Sequence, residues 1–265
     1  VTNRPSFSPL RIVTLLVLCN VAMADENKAV QPQVERFIGC PVYRDTDAGR
    51  KSGCWLVDDP STGTRYDVTA GRLKPILGQM ILVEGAVSQQ DPKLCGGVIL
   101  EPVSVSVLPQ ACKPYLIPAE GHPGRRFALP ANVMQPSSVP RVLPPPPYEP
   151  REYTILFELN SDFLVYQYSE TIIESAVLYT RASKPRRVLI SGYAATHPIE
   201  ISGQSIREDI AIARARAEMV AEAFRRLGVS TSALKLEWKG DAGTAHADDG
   251  LTEAARRRVE IRIEP

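Results

Sequence analysis

Arg214 is the side chain best suited to binding chemistry in this sequence. It lies in the run Ile212-Ala213-Arg214-Ala215-Arg216-Ala217, one helical turn before Glu218. A guanidinium is permanently charged and forked, and so is shaped to grip a carboxylate. The same position also allows a salt bridge to Glu218 or Glu222 along one helix. Nearby acids that could hold an ammonium are Glu200, Glu208 and Asp209. Glu208 and Asp209 also stand near a helix start, where the dipole favours carboxylates. Tyr193 can stack on a ligand or cap a sheet edge. Arg256, Arg257 and Arg258 look like a basic patch, but successive strand residues face opposite ways, so the three cannot share one face.

Other chemistry finds little support. There is no G-x-S-x-G, H-E-x-x-H, P-loop or dinucleotide fingerprint, so no catalytic residue is assigned. Three histidines, His122, His197 and His246, are scattered and no C-x-x-C pair occurs. No metal site or cofactor is therefore expected. Formal charge is +1, which supplies no field to draw nucleic acid.

Residues 1–24 read as a signal peptide. Arg4 and Arg11 precede a short apolar run from Ile12 to Val21, and Ala22-Met23-Ala24 forms an A-x-A cleavage site before Asp25. That run is shorter than the roughly 20 residues a membrane span needs, so no transmembrane span is expected in the mature chain. Leu18 before Cys19 argues against lipid attachment. Cys40, Cys54, Cys95 and Cys112 then remain, an even number in an exported chain, which reads as two disulfides.

The elements that position these residues fall into two parts. Residues 25–35 are polar. Residues 36–129 alternate short strands with Gly-centred turns, and Val103-Ser104-Val105-Ser106-Val107 has the period of a strand with one buried face. This predicts a small all-β barrel, OB-like in the simplest reading, with a two-sheet sandwich as the other. In the OB-like topology the cysteines are expected to pair Cys40–Cys95 and Cys54–Cys112. Residues 130–150, with Pro144-Pro145-Pro146-Pro147, form a Pro-rich linker expected to space the two parts semi-rigidly.

Residues 151–265 read as strand, helix (about 169–183), strand, helix, strand, strand. On the second helix Ile206, Ile210, Ala213, Ala217, Val220, Ala221, Phe224 and Leu227 make a core stripe, ended by Gly228. The whole chain is α+β.

The motifs along this half are Phe157-Glu158-Leu159-Asn160-Ser161, then Gly192-Tyr193-Ala194-Ala195, then Ile212 to Ala217, then Arg256-Arg257-Arg258-Val259. Their order resembles the OmpA-like peptidoglycan-associating domain, whose motifs are Phe-(Asp)-Phe-Asn-Ser, Gly-His-Thr-Asp, Leu-Ser-x-x-Arg-Ala and Asn-Arg-Arg-Val. The resemblance implies a βαβαββ fold with a mixed sheet. It also implies a non-enzymatic role in the periplasm or envelope of a Gram-negative bacterium, with association to the outer membrane possible. Peptidoglycan is the implied partner, with other envelope proteins as a second.

In the family an Asp and a helix Arg hold the charged end of diaminopimelate. The resemblance assigns that Arg to Arg214, puts Ala195 at the Asp position and Arg207 in place of a common Asn, and leaves Tyr193 and Asp209 beside the ligand. The lost Asp carries the alternative: a scaffold that kept the fold, lost diaminopimelate and binds protein.

Overall fold

The computed structural model describes residues 33–45, 53–119, 121–124, 139–241, 247 and 249–265, together with Val1. The signal sequence from residue 2 onward, Cys19, most of residues 25–35 and residues 125–138 lie outside the described residues. Residues Pro32–Pro265 cluster as one compact unit.

Among the described residues the N-terminal half is built of β-strands, with one 3-10 turn at Pro92–Leu94. Its first strand is bent at Cys40 into β1 (Val34–Gly39) and β2 (Pro41–Arg44). Then come β3 (Cys54–Asp58), β4 (Arg65–Asp67), β5 (Gln79–Val87), β6 (Val98–Ala111) and β7 (Tyr115–Ile117). β1 runs antiparallel to β5, β2 to β3, β3 to β4 and β5 to β6, whereas β4 and β6 are parallel. Phe37, Val57, Tyr66, Ile81, Val83, Leu100 and Val105 form the interior. The bend needs Gly39, where a Cβ would lie 2.5 Å from Val57 Cγ2.

The disulfides are Cys40–Cys112 and Cys54–Cys95, with Cα atoms 5.9 and 5.8 Å apart. This corrects the expected pairing of Cys40 with Cys95 and Cys54 with Cys112. That pairing took Cys40 as the start of the first strand. The strand begins at Val34, and Cys40 sits at its bend, one residue past the Gly39–Ile81 pair. Gln79, at that end of β5, pairs with Ala111, which brings Cys112 alongside.

In the C-terminal half β8 (Arg151–Leu156), β9 (Arg187–Ala194), β12 (Leu234–Gly240) and β13 (Arg258–Glu264) form a sheet in the order β12-β9-β13-β8. β12 is parallel to β9, and β13 is antiparallel to both its neighbours, so the sheet is mixed. Helices α1 (Tyr168–Ser183) and α2 (Ile210–Arg226) cover one face through Ile173, Val177, Ala217, Val220, Ala221 and Phe224.

The stripe expected on α2 is shorter than its sequence pattern. Ile206 belongs to a strand, and Ile210 and Leu227 are over 40% exposed at the helix ends. A hairpin, β10 (Ile199–Ile201) and β11 (Gln204–Ile206), interrupts the expected strand–helix step. It turns at Ser202 and Gly203, both at positive φ, as a type I′ turn requires.

The Pro-rich stretch is described from residue 139 onward, and this part does not hold the halves apart. Its described part straps α1: Arg141 Nε donates to Glu174 at 2.7 Å, and Tyr179 donates its hydroxyl to the Glu149 carbonyl at 2.6 Å. The halves meet directly. Ile38, Leu82 and Leu108 pack with Leu159 and Ile201 in one cluster. Ser104 and Ser106, which alternate with the core valines of β6, are 2% and 1% exposed, so this strand is buried on both faces.

Candidate functional site

Arg214 is on the outside of α2. Its Nε donates to Glu218 at 2.7 Å, its side chain is 59% exposed, and its guanidinium lies 5.4 Å from the Trp238 ring. An exposed pair one turn apart is weak and salt-screened. The arginine that points inward is Arg216, which is fully buried. Aligned residue for residue, Ile212 to Ala217 sets the Arg of Leu-Ser-x-x-Arg-Ala on Arg216, two places beyond the expected one.

Gly192 makes room for this arrangement. A Cβ there would stand 2.0 Å from the Ala213 carbonyl oxygen, so only glycine lets α2 come this close to β9. The close approach brings Arg216 beneath the loops that follow β8 and β9. A guanidinium has five N–H donors, and all five are used. Nε donates to the Ser161 carbonyl at 2.8 Å. Nη1 donates to the Tyr193 carbonyl and to Glu208 Oε2, both at 2.9 Å. Nη2 donates to the Glu158 carbonyl at 3.0 Å and to Glu208 Oε1 at 2.5 Å.

Glu208 is as deeply buried as its partner. Besides the arginine fork, its oxygens accept the backbone N–H of Asn160 at 2.7 Å and of Ala195 at 2.9 Å. A two-pronged carboxylate on a forked guanidinium is the geometry by which an arginine holds a carboxylate ligand. Here the chain supplies that carboxylate itself.

Around this pair lies a second set of charges. Glu158 faces Arg72 of the N-terminal half at 3.6 Å. Burial pushes the Glu158 carboxyl up, against the pull of Arg72, Arg257 and Arg216. Arg257, 1% exposed, pairs with Glu84 on β5, which in turn faces Arg36 at 3.4 Å.

The basic patch disperses. Arg256 pairs with Asp241 and Glu253, Arg257 turns inward, and Arg258 donates to Glu260 at 2.7 Å while lying 4.1 Å from the Tyr193 ring centre.

The other sequence candidates separate. Tyr193 follows Gly192 on β9 and so faces the side of the sheet away from the helices. Its hydroxyl donates to Glu260 at 2.8 Å; burial, and then this hydrogen bond, push it up to about 12. Ala195 enters the site only through its backbone. Arg207 is exposed. Asp209 caps α2, accepting from Ala211 N at 2.8 Å. Among the described residues no group of three or more His, Cys, Asp or Glu could hold a metal ion, and no helix is long and apolar enough to cross a membrane.

No family model matches the chain, and no curated protein matches it. Among solved structures it is similar to the OmpA-like domain of FopA1 from Francisella tularensis, at 21% identity and a TM-score of 0.36 over 44% of this chain and 73% of that one. It is similar to the peptidoglycan-associated lipoprotein of Burkholderia pseudomallei, at 20% identity and a TM-score of 0.32 over 41% and 87%. It is also similar to the periplasmic domain of Helicobacter pylori MotB, at 22% identity and a TM-score of 0.33 over 44% and 83%. At these scores and identities the likenesses carry no functional argument.

Proposed function

We propose that this chain is a non-catalytic protein of the bacterial cell envelope. In this reading an OmpA-like module is fused to a disulfide-braced OB-like barrel. Support for the module is the motif order together with the β12-β9-β13-β8 sheet under two helices. Support for the barrel is its pairing pattern. The bent first strand pairs with β3 through one half and with β5 through the other, and the β4–β6 pair is parallel. Two disulfides and the A-x-A segment favour an exported location.

Between wall clamp and scaffold, the Arg216–Glu208 pair favours the scaffold. Every donor of the arginine is spent inside the protein, and the missing family Asp at Ala195 removes the group that would hold an ammonium. A stem-peptide carboxylate reaches Arg216 only if Glu208 leaves. The module then serves as a rigid platform for other envelope proteins.

Calorimetric titration of the wild-type chain with a diaminopimelate-containing stem peptide tests this. No saturable heat is expected. Saturable binding that disappears in Arg216→Ala would overturn the scaffold reading and restore the wall clamp.

A further inference from the structure

The loops that enclose Glu208 are the ones the N-terminal half grips. Glu158 gives its carbonyl to Arg216 and turns its carboxylate to Arg72. The next residue, Leu159, donates its N–H to Ser106 of β6 at 2.8 Å. Asn160, one further on, donates to Glu208. On the other side of the site the β10–β11 hairpin runs straight into Glu208. Its Ile201 packs on Ile38 and Leu82, and its Ser202 hydroxyl accepts the Ile38 N–H at 3.0 Å. Arg257, bound to Glu84, also donates to the Phe157 carbonyl at 3.4 Å.

We infer that the N-terminal β-domain is a latch on the Arg216 site: by clamping residues 157–160 and the hairpin, it keeps Glu208 on the arginine. Glu208 cannot swing out unless one of these two segments moves, and each is tied to β1, β5 or β6. The barrel's outer face, through Ser106 and Glu84, therefore acts as a contact surface for the chain's own C-terminal half. Loosening that surface opens a buried arginine to a small carboxylate. This rests on the reading of Glu208 as the occupant of a carboxylate site.

The amides of Asn160 and Ala195 report the latch directly, because each donates to Glu208. Their hydrogen exchange is measured by NMR in the full chain, in the wild type, in Arg72→Ala and in the milder Ser106→Ala. Both variants alter the interface and leave Glu208 and Arg216 intact. Exchange at Asn160 and Ala195 should quicken roughly tenfold or more in Arg72→Ala, the scale of one charged contact, and by less in Ser106→Ala. Val57 and Ile190, in the two cores, should keep their rates.

Unchanged exchange at Asn160 and Ala195 in both variants overturns the inference. So does equal acceleration at all four amides, which would mean general loosening. The measurement uses no ligand, so its failure leaves the proposed function standing. Stem-peptide binding by the wild type would defeat that reading whatever the exchange shows.

Discussion

Replacing Glu208 by alanine is the sharpest perturbation of the buried pair. The substitution removes a carboxylate that accepts four hydrogen bonds, at 2.5, 2.7, 2.9 and 2.9 Å. Two guanidinium donors and two backbone amides lose their partner, in a place where neither side chain touches solvent. Breaking a buried ion pair from one side costs about 3–5 kcal/mol, because an unpaired charge stays behind. For a unit of this size each kcal/mol lowers Tm by about 2–4 °C, giving a fall of roughly 6–20 °C. The double variant Glu208→Ala/Arg216→Met removes the stranded charge and should recover most of the loss. Thermal unfolding followed by circular dichroism reads both. Acetate, which can refill the fork, should raise the Tm of Glu208→Ala but not of the wild type, against chloride at equal ionic strength. A Glu208→Ala protein melting within about 2 °C of wild type, the range of an ordinary surface change, would refute the reasoning.

Arg214→Ala should cost only about 0.3–0.5 kcal/mol, the worth of an exposed i,i+4 pair; a loss as large as that of Arg216→Ala would show Arg214 to be misplaced. Non-reducing peptide mapping should recover Cys40 with Cys112 and Cys54 with Cys95. Mild thiol should open Cys40–Cys112 first, since Cys54 and Cys95 are fully buried; equal reduction rates would contradict that. The Glu158 carboxyl is held above its ordinary 4.5. Its contribution is therefore fully present below that value and is lost as pH rises through the raised one. Glu158→Gln should flatten the decline in stability from pH 4.5 upward, and an unchanged slope in chemical denaturation would argue against it.

Much of the fold was legible because periodicity reports burial. The helix expected at about 169–183 is α1 at Tyr168–Ser183, and the alternating runs became strands. Alternation failed where the second face is also covered. Ser104 and Ser106 are polar, so they read as facing solvent, yet both are buried, and the Ser106 hydroxyl accepts the Leu159 N–H of the C-terminal half. The hairpin had a turn signal in Ser202-Gly203, between Ile201 and Gln204, but the run of Ile into α2 looked like one helix stripe.

Arg214, the arginine expected to grip a carboxylate, is exposed on α2, and the arginine that turns inward is Arg216. A carboxylate-gripping arginine on this helix was expected, and the aligned motif points to Arg216. Arg214 and Arg216 are both flanked by alanines, and only the close approach at Gly192 reveals which one turns inward. Glu208 stood among the candidate acids, but its nearness to a helix start offered a plainer explanation. That explanation fits Asp209, its neighbour, which is the residue that caps the helix. The cysteine pairing depended on where a strand begins, and sequence patterns define strand ends poorly.

The central claim is that Glu208 occupies the place of a ligand on Arg216. Co-sedimentation of the wild-type protein with purified peptidoglycan sacculi tests it most directly. The protein is expected to stay in the supernatant. Wild-type protein that pellets with the sacculi, and is released by free diaminopimelate, would contradict the account.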